Sequence, residues 1–135
     1  MLLPGPSGEP LPFAYRWAVA NGLTSFTPWH LLTSPDEAAA LRRQFVREFS
    51  PGTDCWPIAR RQDMDEMAGF LLTDGRVEER VVSVHLTWGA QMYPLSEQAV
   101  YADFWAWLTR EVIPTMAGWG AGEVDVEELL RDRSA

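Results

Sequence analysis

The segment 67–88 most constrains the fold, because it holds two apolar runs joined by a tight-turn sequence. Thr-Asp-Gly-Arg at 73–76 separates the run 67–72 from the run 77–88. An Asp-Gly pair between two such runs favours a β-hairpin. The second run alternates in polarity, which places Val82, Val84, Leu86 and Trp88 on one face. The segment therefore predicts two antiparallel strands with a shared buried face.

A third strand is expected upstream, at 56–59, where apolar residues follow the glycine-containing end of a helical pattern. The polar residues 62–66 then form the turn into the strand at 67–72. Three strands joined by short polar turns make an antiparallel meander.

Helix signals lie on both sides of these strands. Ser34 is a suitable N-cap, Pro35 fits the first helical position, and Glu37 completes a capping box. The helix that follows carries one apolar stripe, made of Ala38, Leu41, Phe45 and Phe49. A first helix is expected at 12–20, and a last one from Ser96 to about residue 116. The predicted fold is α+β, an antiparallel sheet with a meander core and helices packed mainly on one face.

The length of 135 residues predicts a single domain, 1–135. Residues 1–12 form a Pro/Gly-rich N-terminal segment, which is expected to be extended or loosely ordered. Residues 120–135 form an acidic tail, for which a short terminal helix and a frayed end both stay open.

Charge and composition exclude several classes of protein. The net charge is −8 and no basic stripe is visible, which argues against nucleic-acid binding. No stretch approaches the roughly 18 apolar residues that a membrane span needs. A single cysteine, Cys55, excludes an internal disulfide, and the N-terminus lacks the pattern of a signal peptide. A cytoplasmic protein is the expectation.

The residues that carry metal, phosphate or nucleophile chemistry are few and scattered. Cys55, His30 and His85 show no zinc-ligand spacing, and the acidic run at 63–66 breaks the pattern of a calcium loop. Glycine-rich phosphate-binding motifs are absent. We therefore expect no catalytic residue, no cofactor and no metal.

The acidic turn itself allows two interpretations. Asp63, Asp65 and Glu66 follow Arg60 and Arg61, so the acids either pair with these arginines at a solvated turn or form a charged contact surface. A third hypothesis combines these acids with His85 as a small active site.

Three stretches together resemble the SUKH superfamily, which is named after a yeast cell-wall-assembly regulator. They are PIARRQDMDEMAGFLL (57–72), DGRVEERVVSVHLTW (74–88) and FWAWLTREVIPTM (104–116). The order of a Pro-apolar-Ala strand, an acidic turn, a Gly-x-Val strand ending near a His and an aromatic helix carries the likeness. It covers roughly residues 55–116, and the acidic turn departs from the common form by lacking glycine.

The resemblance implies an α+β fold without a known active site. Many bacterial members are immunity proteins, which bind and neutralise toxins, often nucleases; no residue role is shared widely enough to be transferred. The expected function is a non-enzymatic protein-binding module that occludes a basic partner such as a toxin domain. Its candidate contact residues are Trp56, Arg60, Arg61, Asp63, Asp65, Glu66 and Trp88. The alternatives are a small enzyme that uses the acidic turn with His85, and a structural homodimer.

Overall fold

A six-stranded antiparallel sheet forms the centre of the protein, in a computed structural model that describes residues 2–122 and 126–134. Every strand pairs with the next one along the chain, in the order β1 to β6. The strands are β1 (Ser25–Phe26), β2 (Trp29–Leu31), β3 (Cys55–Arg61), β4 (Glu66–Thr73), β5 (Arg76–His85) and β6 (Ala99–Tyr101). The predicted α+β class is confirmed, and the three predicted strands are the three long ones.

Helices precede, interrupt and follow the strands. They are α1 (Phe13–Ala20), α2 (Pro35–Glu48), α3 (Phe104–Trp107), α4 (Ile113–Gly120) and α5 (Val126–Ser134). A π-helical turn, Leu108–Val112, connects α3 directly to α4. No helix in the part of the chain that the structure describes has the length and apolar character to cross a bilayer.

The start of α2 is as predicted. The Ser34 side chain accepts a hydrogen bond of 3.2 Å from the backbone N–H of Glu37, which satisfies one of the free donors of the first turn. Leu41, Phe45 and Phe49 are all buried, so the apolar stripe faces the core.

The helices lie on both faces of the sheet, whereas the sequence predicted a covering mainly on one. Residues 67–72 of β4 are buried without interruption, and neighbouring residues of a strand point to opposite faces. Tyr15 of α1 packs edge-to-face on Phe70 and on Phe104 of α3, so α1 and α3 cover the Phe70 face. The other face is covered by α2, which packs against β3.

The last helix begins later than the sequence predicted. Residues 99–101 pair with β5 as a sixth strand, and this pairing occupies backbone groups that a helix from Ser96 would need. The helix starts at Phe104 instead, because the Asp103 carboxylate accepts a 2.8 Å hydrogen bond from the N–H of Ala106.

The N-terminal segment is tied to the core. Leu3 is buried, and its N–H donates a 3.1 Å hydrogen bond to the hydroxyl of Tyr15. In the acidic tail, residues 126–134 are helical, while 123–125 and 135 lie outside the described residues.

Candidate functional site

The predicted contact residues, with one exception, gather at one end of the sheet. Residues 62–65 join β3 to β4, and together with Glu66, the first residue of β4, they form the acidic turn. Beside it, the N–H of Leu86 donates a 2.7 Å hydrogen bond to the carbonyl of Asp65. Trp88 follows two residues later, so it belongs to the same end. We call this region, comprising residues 60–66 and Trp88, the acidic end of the sheet.

Trp56 is the exception, and its predicted role as a surface anchor is wrong. The ring is only 5% exposed, and its indole N–H donates a 2.9 Å hydrogen bond to the carbonyl of Pro4. Trp56 lies opposite Phe70 in the β3–β4 ladder, which places it on the face covered by α1. It is a core residue that also fixes the N-terminal segment.

The carboxylates of the acidic turn are paired with its arginines. Arg61 donates two hydrogen bonds to Asp63, at 2.9 and 2.7 Å, and its guanidinium lies 3.6 Å from Glu66. Arg60 lies 3.9 Å from Asp65. Three carboxylates therefore face two guanidinium groups, which leaves one net negative charge. The hydrogen bonds from Arg61 also lower the pKa of Asp63 below its usual value.

Glu66 differs from the other two acids because it belongs to β4. It lies opposite His85 in the β4–β5 ladder, on the face where Glu111 of the π-helical turn accepts a 3.3 Å hydrogen bond from Ser83. Burial raises the pKa of Glu66, and the nearby charge of Arg61 works against that rise. Tyr101 donates a 2.9 Å hydrogen bond to Glu111, and burial together with this bond raises the pKa of Tyr101 to about 12.

A polar recess of about 580 Å³ opens beside the acidic turn. Asp63 and Asp65 line it together with His30, but His85 does not. His30 is held on both ring nitrogens, by the hydroxyl of Ser25 at 2.9 Å and by the side-chain oxygen of Gln62. The combination of acidic turn and His85 that the enzyme hypothesis requires is therefore not assembled in this recess.

Glu48, the last residue of α2, is a functional candidate that the sequence interpretation missed. Its side chain is fully buried, yet it is a carboxylate at the negative end of a helix dipole. It accepts hydrogen bonds from the N–H and the hydroxyl of Thr87, both at 2.6 Å, and from the N–H of Trp88 at 3.2 Å. Gln44 donates a further bond of 2.9 Å.

These hydrogen bonds place Glu48 in a defined charge state. Burial raises the pKa of its carboxyl, but the bonds from Thr87, Gln44 and Trp88 outweigh burial and leave the pKa below its usual value. Glu48 is therefore ionised at neutral pH and acts as a clamp on the chain that leaves β5.

The clamp determines how Trp88 is presented. Trp88 has a backbone φ of 62°, a conformation that a bulky residue rarely adopts. Its ring is 48% exposed, which suits a contact residue, although the alternation of the strand placed it on the same face as the buried Leu86. The alternation does not extend to Trp88 because β5 ends at His85, and the left-handed backbone of Trp88 itself redirects the side chain.

A signal for the clamp was present in the sequence. Gln44 and Glu48 stand three and seven residues after Leu41, at positions that share the buried stripe of α2. Polar side chains at buried helical positions need hydrogen-bond partners, and here those partners come from residues about forty positions away.

The remaining candidates for chemistry do not form a site. Within residues 2–122 and 126–134, no group of three or more His, Cys, Asp or Glu side chains is arranged to hold a metal ion. Cys55 is fully buried, and burial raises the pKa of its thiol well above the usual value, so it stays protonated.

Comparison with known proteins does not identify a family for this chain. No protein-family model matches the chain, and no curated protein or solved structure matches it. The resemblance to the SUKH superfamily therefore remains a prediction that rests on residues 55–116.

Proposed function

We propose that the protein is a non-enzymatic protein-binding module whose contact surface is the acidic end of the sheet, with Trp88 as its anchor. The observation that carries the proposal is the presentation of Trp88. Its half-exposed ring stands on a left-handed backbone that the buried carboxylate of Glu48 holds in place.

The conformation and exposure of Trp88 both cost free energy. A non-glycine residue in the left-handed region costs of order 1–3 kcal/mol, and exposing an indole adds to that cost. Residues held in such conformations concentrate at binding and active sites. Tryptophan is also among the residues that contribute most to protein interfaces. A ring fixed before binding loses less conformational entropy on association, so a clamped Trp88 suits an anchor.

Electrostatic attraction favours a basic partner, and it comes more from the net charge of the whole chain than from the charge of the turn. The turn retains one net negative charge, while the chain carries −8. A field of that sign accelerates encounters with a basic surface, and the acceleration falls as salt shortens the Debye length to about 8 Å at physiological ionic strength. A basic toxin domain, the kind of partner that the SUKH resemblance implies, fits this charge.

The enzyme alternative has less support from the geometry. Acid–base catalysis needs groups that converge on one substrate position. Asp63 and Asp65 reach the recess, His85 does not, and Asp63 is held by Arg61. This arrangement supports a binding surface whose charged side chains are held in place by their ion pairs.

The test is affinity capture from native cells with three purified proteins. They are the wild type, Trp88→Asn and Trp119→Ala. Asparagine tolerates a left-handed backbone, so Trp88→Asn removes the ring and keeps the conformation. Trp119 is another exposed tryptophan, on α4, and serves as the matched control.

We expect one protein with a basic binding domain to be recovered by the wild type and by Trp119→Ala, and to be lost or strongly reduced with Trp88→Asn. Equal recovery by all three proteins, or no specific protein recovered at moderate salt, would contradict the proposal. Circular dichroism of each variant establishes that the fold is intact.

A further inference from the structure

The recess beside the acidic turn combines apolar and charged lining. Its volume of about 580 Å³ falls within the range of about 300–1,000 Å³ that is typical of ligand pockets. Leu31 and Leu32, which are both buried, line it together with the charged side chains of Arg60, Asp63 and Asp65. Such a lining suits a side chain that has an apolar stem and a polar head group.

The imidazole of His30 is a fixed part of this lining. Ser25 Oγ lies 2.9 Å from its Nδ1 atom, and the side-chain oxygen of Gln62 contacts its Nε2 atom. Because both ring nitrogens are engaged, the orientation of the ring is set before any ligand binds. A fixed planar ring is a surface on which a guanidinium group can stack.

Glu37 brings a carboxylate to the recess from α2. The sequence predicted that this carboxylate closes a capping box with the N–H of Ser34. The structure contains only the other half of the box, in which Ser34 accepts a hydrogen bond from the N–H of Glu37. Within residues 2–122 and 126–134, no hydrogen bond or ion pair uses the Glu37 carboxylate, so it is available to a ligand.

Asp65 brings a second carboxylate, and its own partner is loosely held. The guanidinium of Arg60 lies 3.9 Å away, and the two side chains are 50% and 43% exposed, so this pair contributes little. By contrast, Asp63 is held by two hydrogen bonds from Arg61. The carboxylates of Glu37, Asp63 and Asp65 line the recess against two guanidinium groups, which leaves an excess of one negative charge.

This lining favours a cation over an anion. An anion would meet the excess carboxylate, and the Arg61 guanidinium is already committed to Asp63. Among cationic side chains, arginine fits better than lysine. Its planar fork binds carboxylates through two parallel hydrogen bonds, it stacks on planar rings such as that of His30, and its aliphatic stem suits the apolar lining.

We propose that the recess receives an arginine side chain of the partner protein, whose guanidinium group binds Glu37 and Asp65 and displaces Arg60 from Asp65. This inference rests on the proposed function, because it names the chemical group that the acidic end of the sheet recognises on a basic partner. The contact is separate from the anchor, since Trp88 does not line the recess.

The test is a titration of the isotope-labelled protein, followed by the NMR signals of its backbone amides, with two short peptides. One is acetyl-Gly-Arg-Gly-amide. The other carries citrulline in place of arginine, which keeps the shape of the side chain and removes its charge. We expect the arginine peptide to shift the amides of residues 30–33 and 60–65 at concentrations up to about 10 mM, where a site of millimolar affinity is mostly filled. The citrulline peptide should leave them in place.

Three variants identify the groups that bind the arginine. Glu37→Gln and Asp65→Asn should each weaken binding about 2- to 5-fold, the range for partly exposed ion pairs. Arg60→Gln should strengthen binding by a similar factor, because it removes a competing cation. Glu79→Gln, at an exposed acid outside the recess, is the matched control and should leave the affinity unchanged.

Four results would overturn the proposal. They are equal shifts with both peptides, shifts confined to residues outside the recess, no shift with either peptide, and weaker binding by Arg60→Gln, which would indicate an anion site. Trp88→Asn should bind the arginine peptide as the wild type does. Peptide binding without any captured partner would therefore count against the proposed function alone, whereas a captured partner without peptide binding would count against the recess alone.

Discussion

The carboxylate of Glu48 and the carboxylates of the acidic turn carry the same charge in opposite surroundings. Glu48 is fully buried and accepts four hydrogen bonds from three residues. Asp65 is half exposed beside Arg60, and Asp63 is partly covered and paired with Arg61. The turn was prominent in the sequence because its charges are adjacent, whereas Glu48 was inconspicuous because its partners are distant in the chain.

The comparison shows that burial determines how much a carboxylate contributes to the fold. Removing a buried charge, or the groups that donate hydrogen bonds to it, lowers the free energy of unfolding by several kcal/mol. An exposed ion pair contributes only about 0–1 kcal/mol. Glu48 therefore stabilises the fold and the position of Trp88. The acidic turn can change in evolution, or at a binding surface, with little effect on stability.

The largest expected effect comes from neutralising the clamp. Glu48→Gln keeps the size of the side chain but removes its charge. The amide NH₂ of glutamine would then face groups that themselves donate hydrogen bonds. We expect the free energy of unfolding to fall by about 3 kcal/mol, as urea denaturation would measure. Glu79→Gln, at an exposed acid, is the matched control and should change stability by less than about 0.5 kcal/mol. A loss of similar size in both variants would contradict the difference between buried and exposed carboxylates.

The second prediction concerns pH. The pKa of Glu48 in the folded protein lies below its unfolded value of about 4.3, so its contribution is complete above that pH and is lost as the pH falls through the folded pKa. The stability difference between wild type and Glu48→Gln should be constant from pH 6 to 8 and shrink below about pH 4. Taking the difference cancels the other carboxylates that both proteins share. A difference that grows as the pH falls would contradict the assigned charge state.

An intermediate case is Asp54, whose side chain is 29% exposed, between the fully buried Glu48 and the half-exposed Asp65. It accepts two hydrogen bonds from Arg42 of α2, at 3.0 and 2.7 Å, and its side chain is partly covered. Asp54→Asn retains the shape and removes the charge, and we expect a loss of about 1 kcal/mol in thermal or urea unfolding. A loss as large as that for Glu48→Gln would mean that the exposure of a carboxylate does not determine how much it contributes to stability.

The smallest effect is expected at the acidic turn. Because the Asp65 side chain is half exposed and lies 3.9 Å from Arg60, Asp65→Ala should lower the free energy of unfolding by only about 0–1 kcal/mol. Its rate of association with a basic partner should fall modestly at low salt, as stopped-flow mixing would detect. A loss above about 2 kcal/mol would show that the turn is structural.

Local signals in the sequence were sufficient for the α2 cap, the three long strands and the Arg–Asp pairs of the turn. Each depends on residues within a few positions of one another. The sequence also indicated that both faces of the sheet are covered. The run at 67–72 is apolar or glycine throughout, whereas a strand with one exposed face would alternate in polarity.

Features that depend on distant contacts were missed. The strand at 99–101 exists because β5 offers it a free edge, and Asp103 begins the helix only after that strand ends. Trp88 turns outward because Glu48, forty residues earlier, holds its N–H. The periodicity of one segment gives no information on such a contact, so the alternation placed Trp88 on the face of Leu86 even though Trp88 was also predicted to be a contact residue.

The most direct test of the central claim, that Trp88 anchors a protein partner, is the dissociation constant measured by calorimetry with the captured partner. We expect Trp88→Asn to raise this constant at least about 10-fold, a loss of about 1.4 kcal/mol or more, while Trp119→Ala leaves it unchanged. Equal affinity for wild type and Trp88→Asn, with both proteins folded, would contradict the claim.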